Sequence, residues 1–190
     1  MKTPEIEFVI NKQKEGSMSD FVQFLKRLDN KDKKIYSISW IVYIAITAIY
    51  LGWFIYSYKD IDTIYRIARA LYVIAFGMFS FYLKNQFNHH KYIDYSIPPL
   101  TFLLEARKRH ILWSKKLLIL IPFILLIDIG LTIDFSFLWS NMNQITGILL
   151  FNLIFYVFIT GCILFAQWVW KKEKANVIKT IDQLIEEFQE

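Results

Sequence analysis

The sequence predicts an all-α membrane protein: a four-transmembrane-helix bundle with short cytoplasmic amphipathic helical extensions. Three observations lead there. The chain has 190 residues, of which 55% are hydrophobic, and its mean hydropathy is +0.34, above what an ordinary soluble domain carries. Four stretches approach or exceed the roughly 20 apolar residues that cross a bilayer as a helix. The basic residues are distributed unequally between the segments that connect those stretches.

The stretches fall at about 35–58, 64–83, 117–139 and 146–170. The first and last carry no charge. The second has Arg66 and Arg69 near one end, and the third contains Asp128. Each run is continuous, without the alternation of a barrel strand, and in lipid only a helix satisfies its own backbone within one segment. Pro122 is expected to kink the third span. No cleavable leader is expected, because the opening residues are polar and no short apolar region with a small-residue cleavage site follows.

Orientation follows from counting Lys and Arg. Eight lie in residues 1–34, seven in the 84–116 connection and four in the 171–190 tail, against Lys59, Arg66 and Arg69 on the other side. Both termini and the 84–116 loop are therefore expected in the cytoplasm. Trp40, Trp113, Trp168 and Trp170 fall near the inner ends of spans and Trp53 and Trp139 near the outer ends, as aromatic belts do. The outer connections, near 59–63 and 140–145, are too short for a domain.

The three cytoplasmic segments each carry a helical pattern. Ser19 or Asp20 is placed to cap a helix with Phe21, Phe24, Leu25 and Leu28 on one face. Ser96-Ile97-Pro98-Pro99 is a start signal for a helix carrying Leu100, Leu103, Leu104, Arg107 and Ile111. In the tail, Val177, Ile181, Leu184 and Phe188 recur at 4-3-4 spacing, widened by Ile178 and Ile185. With no Pro or Gly between Gly161 and Glu190, the fourth span is expected to run on as one helix into this tail. The tail then either packs on the 100–111 helix or lies on the membrane surface.

Two sets of residues stand out. Arg69, Asp128 and Asn152 fall at comparable depth in three spans. A buried Arg69–Asp128 pair, completed by Asn152, would remove the cost of isolated charges in lipid. Arg66 and Asp134 would form a second pair nearer the surface. The second set is the basic run Arg107, Lys108, Arg109, Lys115 and Lys116, suited to anionic headgroups or to an acidic cytoplasmic partner. Nucleic acid is not expected, because no nucleic-acid-binding fold accompanies the run.

Other chemistry lacks its residues. His89, His90, Asp94, Glu105 and His110 match no metal spacing. Cys162 stands alone and is expected to be a small packing residue. There is no nucleophile elbow, zinc-protease motif or glycine-rich phosphate loop. Neither enzymatic activity nor a cofactor is expected. A homo-oligomer is left open.

The run Lys91-Tyr92-Ile93-Asp94-Tyr95-Ser96-Ile97-Pro98, followed by a charged helix leading into a third span, resembles a linker found in small uncharacterised four-span proteins of Bacteroidota-type bacteria. Many of those begin with a Leu- and Trp-containing stretch. Here the nearest counterpart is Phe21-Val22-Gln23-Phe24-Leu25-Lys26, which has no Trp. The resemblance implies the four-span layout and carries no activity. The expected function is a non-enzymatic membrane-anchored adaptor or regulator acting on a cytoplasmic partner. The alternative is a transporter or channel subunit using Arg69, Asp128 and Asn152.

Overall fold

The structure is a computed structural model that describes residues 18–111, 118–136 and 143–189. All regular structure among these residues is helical: α1 (Met18–Tyr56), α2 (Thr63–Lys91), α3 (Pro99–His110), α4 (Leu120–Asp134), α5 (Gln144–Glu173) and α6 (Ala175–Glu187). Three helices, α1, α2 and α5, are long and apolar enough to cross a membrane. Of the expected third span the described residues are 118–136, of which α4 takes 15, roughly 22 Å at 1.5 Å per residue. That is short of a hydrocarbon core of about 30 Å, and residues 117 and 137–139 lie outside the described residues. Pro122 falls in the first turn of α4, a position where Pro is tolerated.

The chain divides into two compact units. One draws on Met1–Lys33, His89–Ser114 and Ile163–Glu190, the other on Lys34–Asn88 and Lys115–Cys162. They are called here the polar and the apolar unit.

In the polar unit the N-terminal part of α1 packs with α3 and α6 around Phe21, Leu25, Phe102, Leu103, Ala106, Val177, Ile181 and Ile185. Helix α1 continues unbroken from this core into the first apolar span, because no Gly or Pro interrupts it before Gly52. Ser19 and Asp20 lie inside its first turn rather than at a cap. Helix α3 starts where Pro98-Pro99 directs it, with Pro99 in its first turn and the Phe102 N–H bonded to the Pro98 carbonyl at 3.0 Å. Asp94 accepts from the Ser96 N–H at 2.8 Å, closing a local turn ahead of the helix.

The tail packs on α3, and its buried positions all belong to the expected stripe, with Leu184 partly buried against the same core; on α3 the register differs from the expected one. Phe102, Leu103 and Ala106 turn inward on α3 while Leu104 and Ile111 stay partly exposed. On α6 the buried positions are Val177, Ile181 and Ile185, and Phe188 is half exposed. The tail is also not one helix with the last span. The chain bends at Lys174, where φ is −121° and ψ −23°. Hydrogen bonding survives on both sides, from the Lys174 N–H to the Trp170 carbonyl at 2.8 Å and from the Ile178 N–H to the Lys174 carbonyl at 3.0 Å.

The apolar unit is held by aromatic packing. Phe79 stands edge-on to Tyr43 at 4.7 Å and stacks on Phe123 at 4.6 Å. Tyr50 packs against Tyr72 at 5.3 Å and Phe76 at 5.2 Å. Gly130 on α4 lies against the Tyr72 ring, so close that a Cβ there would stand 2.6 Å from Tyr72 Cε1. Cys162 on α5 is exposed rather than packed.

Candidate functional site: a buried carboxylate and imidazole cluster

Asp29 and Asp32 lie three residues apart on α1 and so share a face. That face is buried: Asp29 is 1% exposed and Asp32 7%. Around it stand groups from the last turns of two helices and from one helix junction. His90 ends α2, and Arg109 and His110 end α3. Basic last turns suit the negative end of a helix dipole, and the same residues supply counter-charges to the two carboxylates. Lys174 comes from the bend between α5 and α6.

His110 occupies the centre. Its Nε2 lies 3.3 Å from Asp29 Oδ1 and its Nδ1 3.5 Å from Asp32 Oδ2, with the side chain wholly buried. His90 Nδ1 approaches Asp29 Oδ1 at 3.6 Å. The Arg109 guanidinium lies 3.4 Å from Asp29 Oδ2, and the Tyr95 hydroxyl donates to that oxygen at 3.3 Å. Lys174 Nζ donates to Asp32 Oδ2 at 2.6 Å. The His110 carbonyl, left without a helical donor at the end of α3, accepts from the Trp170 indole N–H at 2.8 Å.

Burial opposes charge on Asp29, Asp32 and His110, and for these three the neighbours override it. Desolvation pushes the Asp29 carboxyl up, but His110, His90 and Arg109 together hold it well below the usual carboxylate range. For Asp32, burial is again opposed and outweighed, here by His110 and Lys174. For His110, burial and the Lys174 charge favour the neutral ring, yet the two facing carboxylates hold its pKa above the ordinary histidine value. A ring with a carboxylate at each nitrogen is best matched by imidazolium, which carries a proton on both. The Tyr95 phenol is pushed up to about 12 by burial and by the adjacent Asp29 charge.

In this arrangement Asp29 and His110 are sealed from solvent, so neither can meet a dissolved substrate. Among the described residues no three His, Cys, Asp or Glu side chains are arranged to hold a metal ion. Arg109 and Lys174 already stand where a cation would neutralise the carboxylates. What the cluster does is fasten: it ties α1, the end of α2, the end of α3 and the α5–α6 junction at one point. At the surface of the same unit Arg107 pairs with Asp182 at 2.5 Å and Lys31 with Glu173 at 2.9 Å.

The expected residues are distributed otherwise. Within the basic run, Arg109 turns inward to Asp29, Arg107 takes Asp182, and Lys108 remains exposed. Lys115 and Lys116 lie outside the described residues. Arg69, Asp128 and Asn152 do not form one site. Arg69 lays its guanidinium over Trp53 at 4.1 Å and donates to Ser57 Oγ. Asp128 accepts instead from the Tyr156 hydroxyl at 2.9 Å, and Asn152 donates to the Ile148 carbonyl of its own helix at 2.9 Å. Arg66 likewise turns to Tyr58 at 4.7 Å and to the Ile61 carbonyl at 2.9 Å. A long guanidinium beside a helix end finds an aromatic face and free carbonyls more readily than a carboxylate deep in another helix.

Sequence reasoning passed over Asp29 and Asp32. The available signal was two acids at i, i+3 inside a basic stretch, in a chain whose only three histidines are His89, His90 and His110. His90 and His110 join Asp29 rather than Asp94, which bonds Ser96, or Glu105, which faces Arg109 at 3.8 Å. No family model, curated protein or solved structure matches the chain.

Proposed function

We propose that the chain is a four-span protein of a bacterial cytoplasmic membrane, with both termini inside, and that its polar unit is a membrane-anchored, non-enzymatic adaptor or regulator that engages a cytoplasmic protein. One observation carries this reading. The segments rich in Lys and Arg are not loose connections but a folded unit with its own apolar core and a sealed ionic cluster. Ordering such a unit is worth its conformational entropy where a partner must find a fixed surface. The four-span layout and the bacterial setting of this proposal rest on the resemblance of the 91–98 linker described above. The exposed Lys108, with Lys115 and Lys116, would contact anionic headgroups.

Chemical cross-linking in native membranes, followed by purification of the full chain, tests the proposal. The expected result is a cytoplasmic protein recovered at fixed stoichiometry and lost when Leu103→Asp breaks the polar core while the chain remains in the membrane. Recovery unaffected by Leu103→Asp would overturn it.

The transporter or channel reading draws on Asp128 Oδ1, which is buried without a hydrogen-bond partner. Ion flux through the purified protein, abolished by Asp128→Asn, would favour that reading.

A further inference from the structure

Along α1, Trp40, Ile44 and Thr47 stand at i, i+4 and i+7. Along α2, Gly77, Ser80, Phe81 and Lys84 stand at i, i+3, i+4 and i+7. Both sets line one crevice of about 310 Å³ in the seam between the two helices. Seven residues of helix give it a length of roughly 10 Å.

Between its ends the walls are largely apolar, with Ile44 and Phe81 beside Thr47, Gly77 and Ser80. The Thr47 hydroxyl is taken up by the Tyr43 carbonyl at 2.7 Å, so Thr47 offers its methyl group to the groove. That methyl lies 3.7 Å from where a Gly77 Cβ would stand. The missing side chain at Gly77 is therefore what keeps this stretch of the seam open. Both helices are long and apolar enough to span a membrane, and in one the medium facing the crevice would be lipid.

The polar end has the opposite character. Lys84 Nζ stands 5.5 Å over the Trp40 ring, and Trp40 is stacked on Phe87 at 6.4 Å. Among the described residues Lys84 has no carboxylate partner, and its side chain is exposed. An unpaired ammonium beside an indole is the combination that holds a phosphate at the boundary between headgroups and acyl chains.

We propose that the α1–α2 seam is a binding site for an anionic glycerophospholipid. One acyl chain lies along Ile44, Thr47 and Gly77, and the phosphate sits at Lys84. This goes beyond the adaptor reading and does not depend on it, though it needs α1 and α2 to lie in a membrane.

Native mass spectrometry of the full chain released from nanodiscs of mixed phosphatidylglycerol and phosphatidylcholine tests the site. The wild type should retain one phosphatidylglycerol per chain. Lys84→Gln should reduce the preference for phosphatidylglycerol over phosphatidylcholine at least three-fold. Gly77→Leu should remove the retained lipid of either kind by filling the groove. If Gly77→Leu does not fold, Thr47→Leu narrows the same groove from the α1 side. Retention of phosphatidylglycerol at wild-type level in the Lys84 variant and in a folded groove-filling variant overturns the proposal. Liposome flotation is the separate control: a chain that floats but retains no phosphatidylglycerol overturns the lipid site alone, and a chain that does not float overturns membrane residence as well.

Discussion

His110 Nε2 lies 3.3 Å from Asp29 Oδ1, and both side chains are closed to solvent. A buried charge left without its partner is expensive, so each of these residues makes the other tolerable. Asp29→Ala and His110→Ala should each destabilise the protein by about 3–5 kcal/mol, read as thermal unfolding in detergent. The double variant should lose less than the sum of the two, because the orphaned charge is removed with its neighbour. Strict additivity would show that the two residues do not act as a pair.

The same cluster sets a pH window. Asp29 and Asp32 titrate below their unfolded values, so their contribution is present above about pH 4 and lost as the pH falls through the folded values. His110 titrates above its unfolded value, so its contribution is full below about pH 6.5 and disappears as the pH rises through the folded value. Stability should therefore peak in mildly acidic solution and decline on both sides. In His110→Gln the alkaline decline should be lost or much reduced, measured as the unfolding midpoint across a pH series. An alkaline limb of unchanged size in that variant would place its origin elsewhere.

Arg69 and Asp128 answer to different neighbours, Trp53 and Tyr156. Arg69→Gln and Asp128→Asn should then add in their effects on stability to within about 0.5 kcal/mol. Tyr156→Phe, which strips Asp128 of its donor, should cost about 1–3 kcal/mol. A coupling between Arg69 and Asp128 well above the additivity limit would restore them as a pair.

Gly130 has no room for a methyl group, because the Tyr72 ring occupies its place. Gly130→Ala should destabilise the protein by about 1–3 kcal/mol through overpacking. The loss should shrink in a Tyr72→Leu background, where the ring is gone. Equal losses in the two backgrounds would show that Tyr72 is not the obstacle.

In the polar core, Leu103→Ala and Ile181→Ala should each cost about 2–5 kcal/mol. Arg107→Ala, which removes only a surface ion pair with Asp182, should cost no more than about 1 kcal/mol. Thermal unfolding of the three variants side by side checks the contrast.

Much of the architecture could be read from the chain. The absence of Gly and Pro, the length of the apolar runs and the Pro98-Pro99 signal are local properties, and α1, α2, α3 and α5 follow from them. So does the tail stripe through Val177 and Ile181, since any helix with that periodicity must cover one face. Less legible was which face. Phe102 and Ala106 displace Leu104 because the partners of α3 come from distant parts of the chain, and a single helix does not reveal the angle at which they arrive. Nor is there a local reason for the bend at Lys174, which carries neither Gly nor Pro; its side chain is committed to Asp32, 142 residues earlier. The cluster was hidden for the same reason. Asp29 and Asp32 look like two charges of a solvated helix until His110 and Lys174 are brought beside them.

That separation in sequence has a consequence for biosynthesis. Asp32 meets Lys174, and Lys31 meets Glu173, each across 142 residues, and Val177, Ile181 and Ile185 complete the core that Phe21 and Leu25 begin. Helix α1 therefore leaves the ribosome carrying the Asp32 carboxylate, whose Lys174 partner is translated 142 residues later, and an apolar face that α6 completes later still. Until then α1 has neither a closed core nor a lysine beside Asp32, while the partners of Asp29 on α2 and α3 have already been made. A chain that stalls before residue 174 presents both defects together, which makes it distinguishable to a chaperone or protease from one that has been finished.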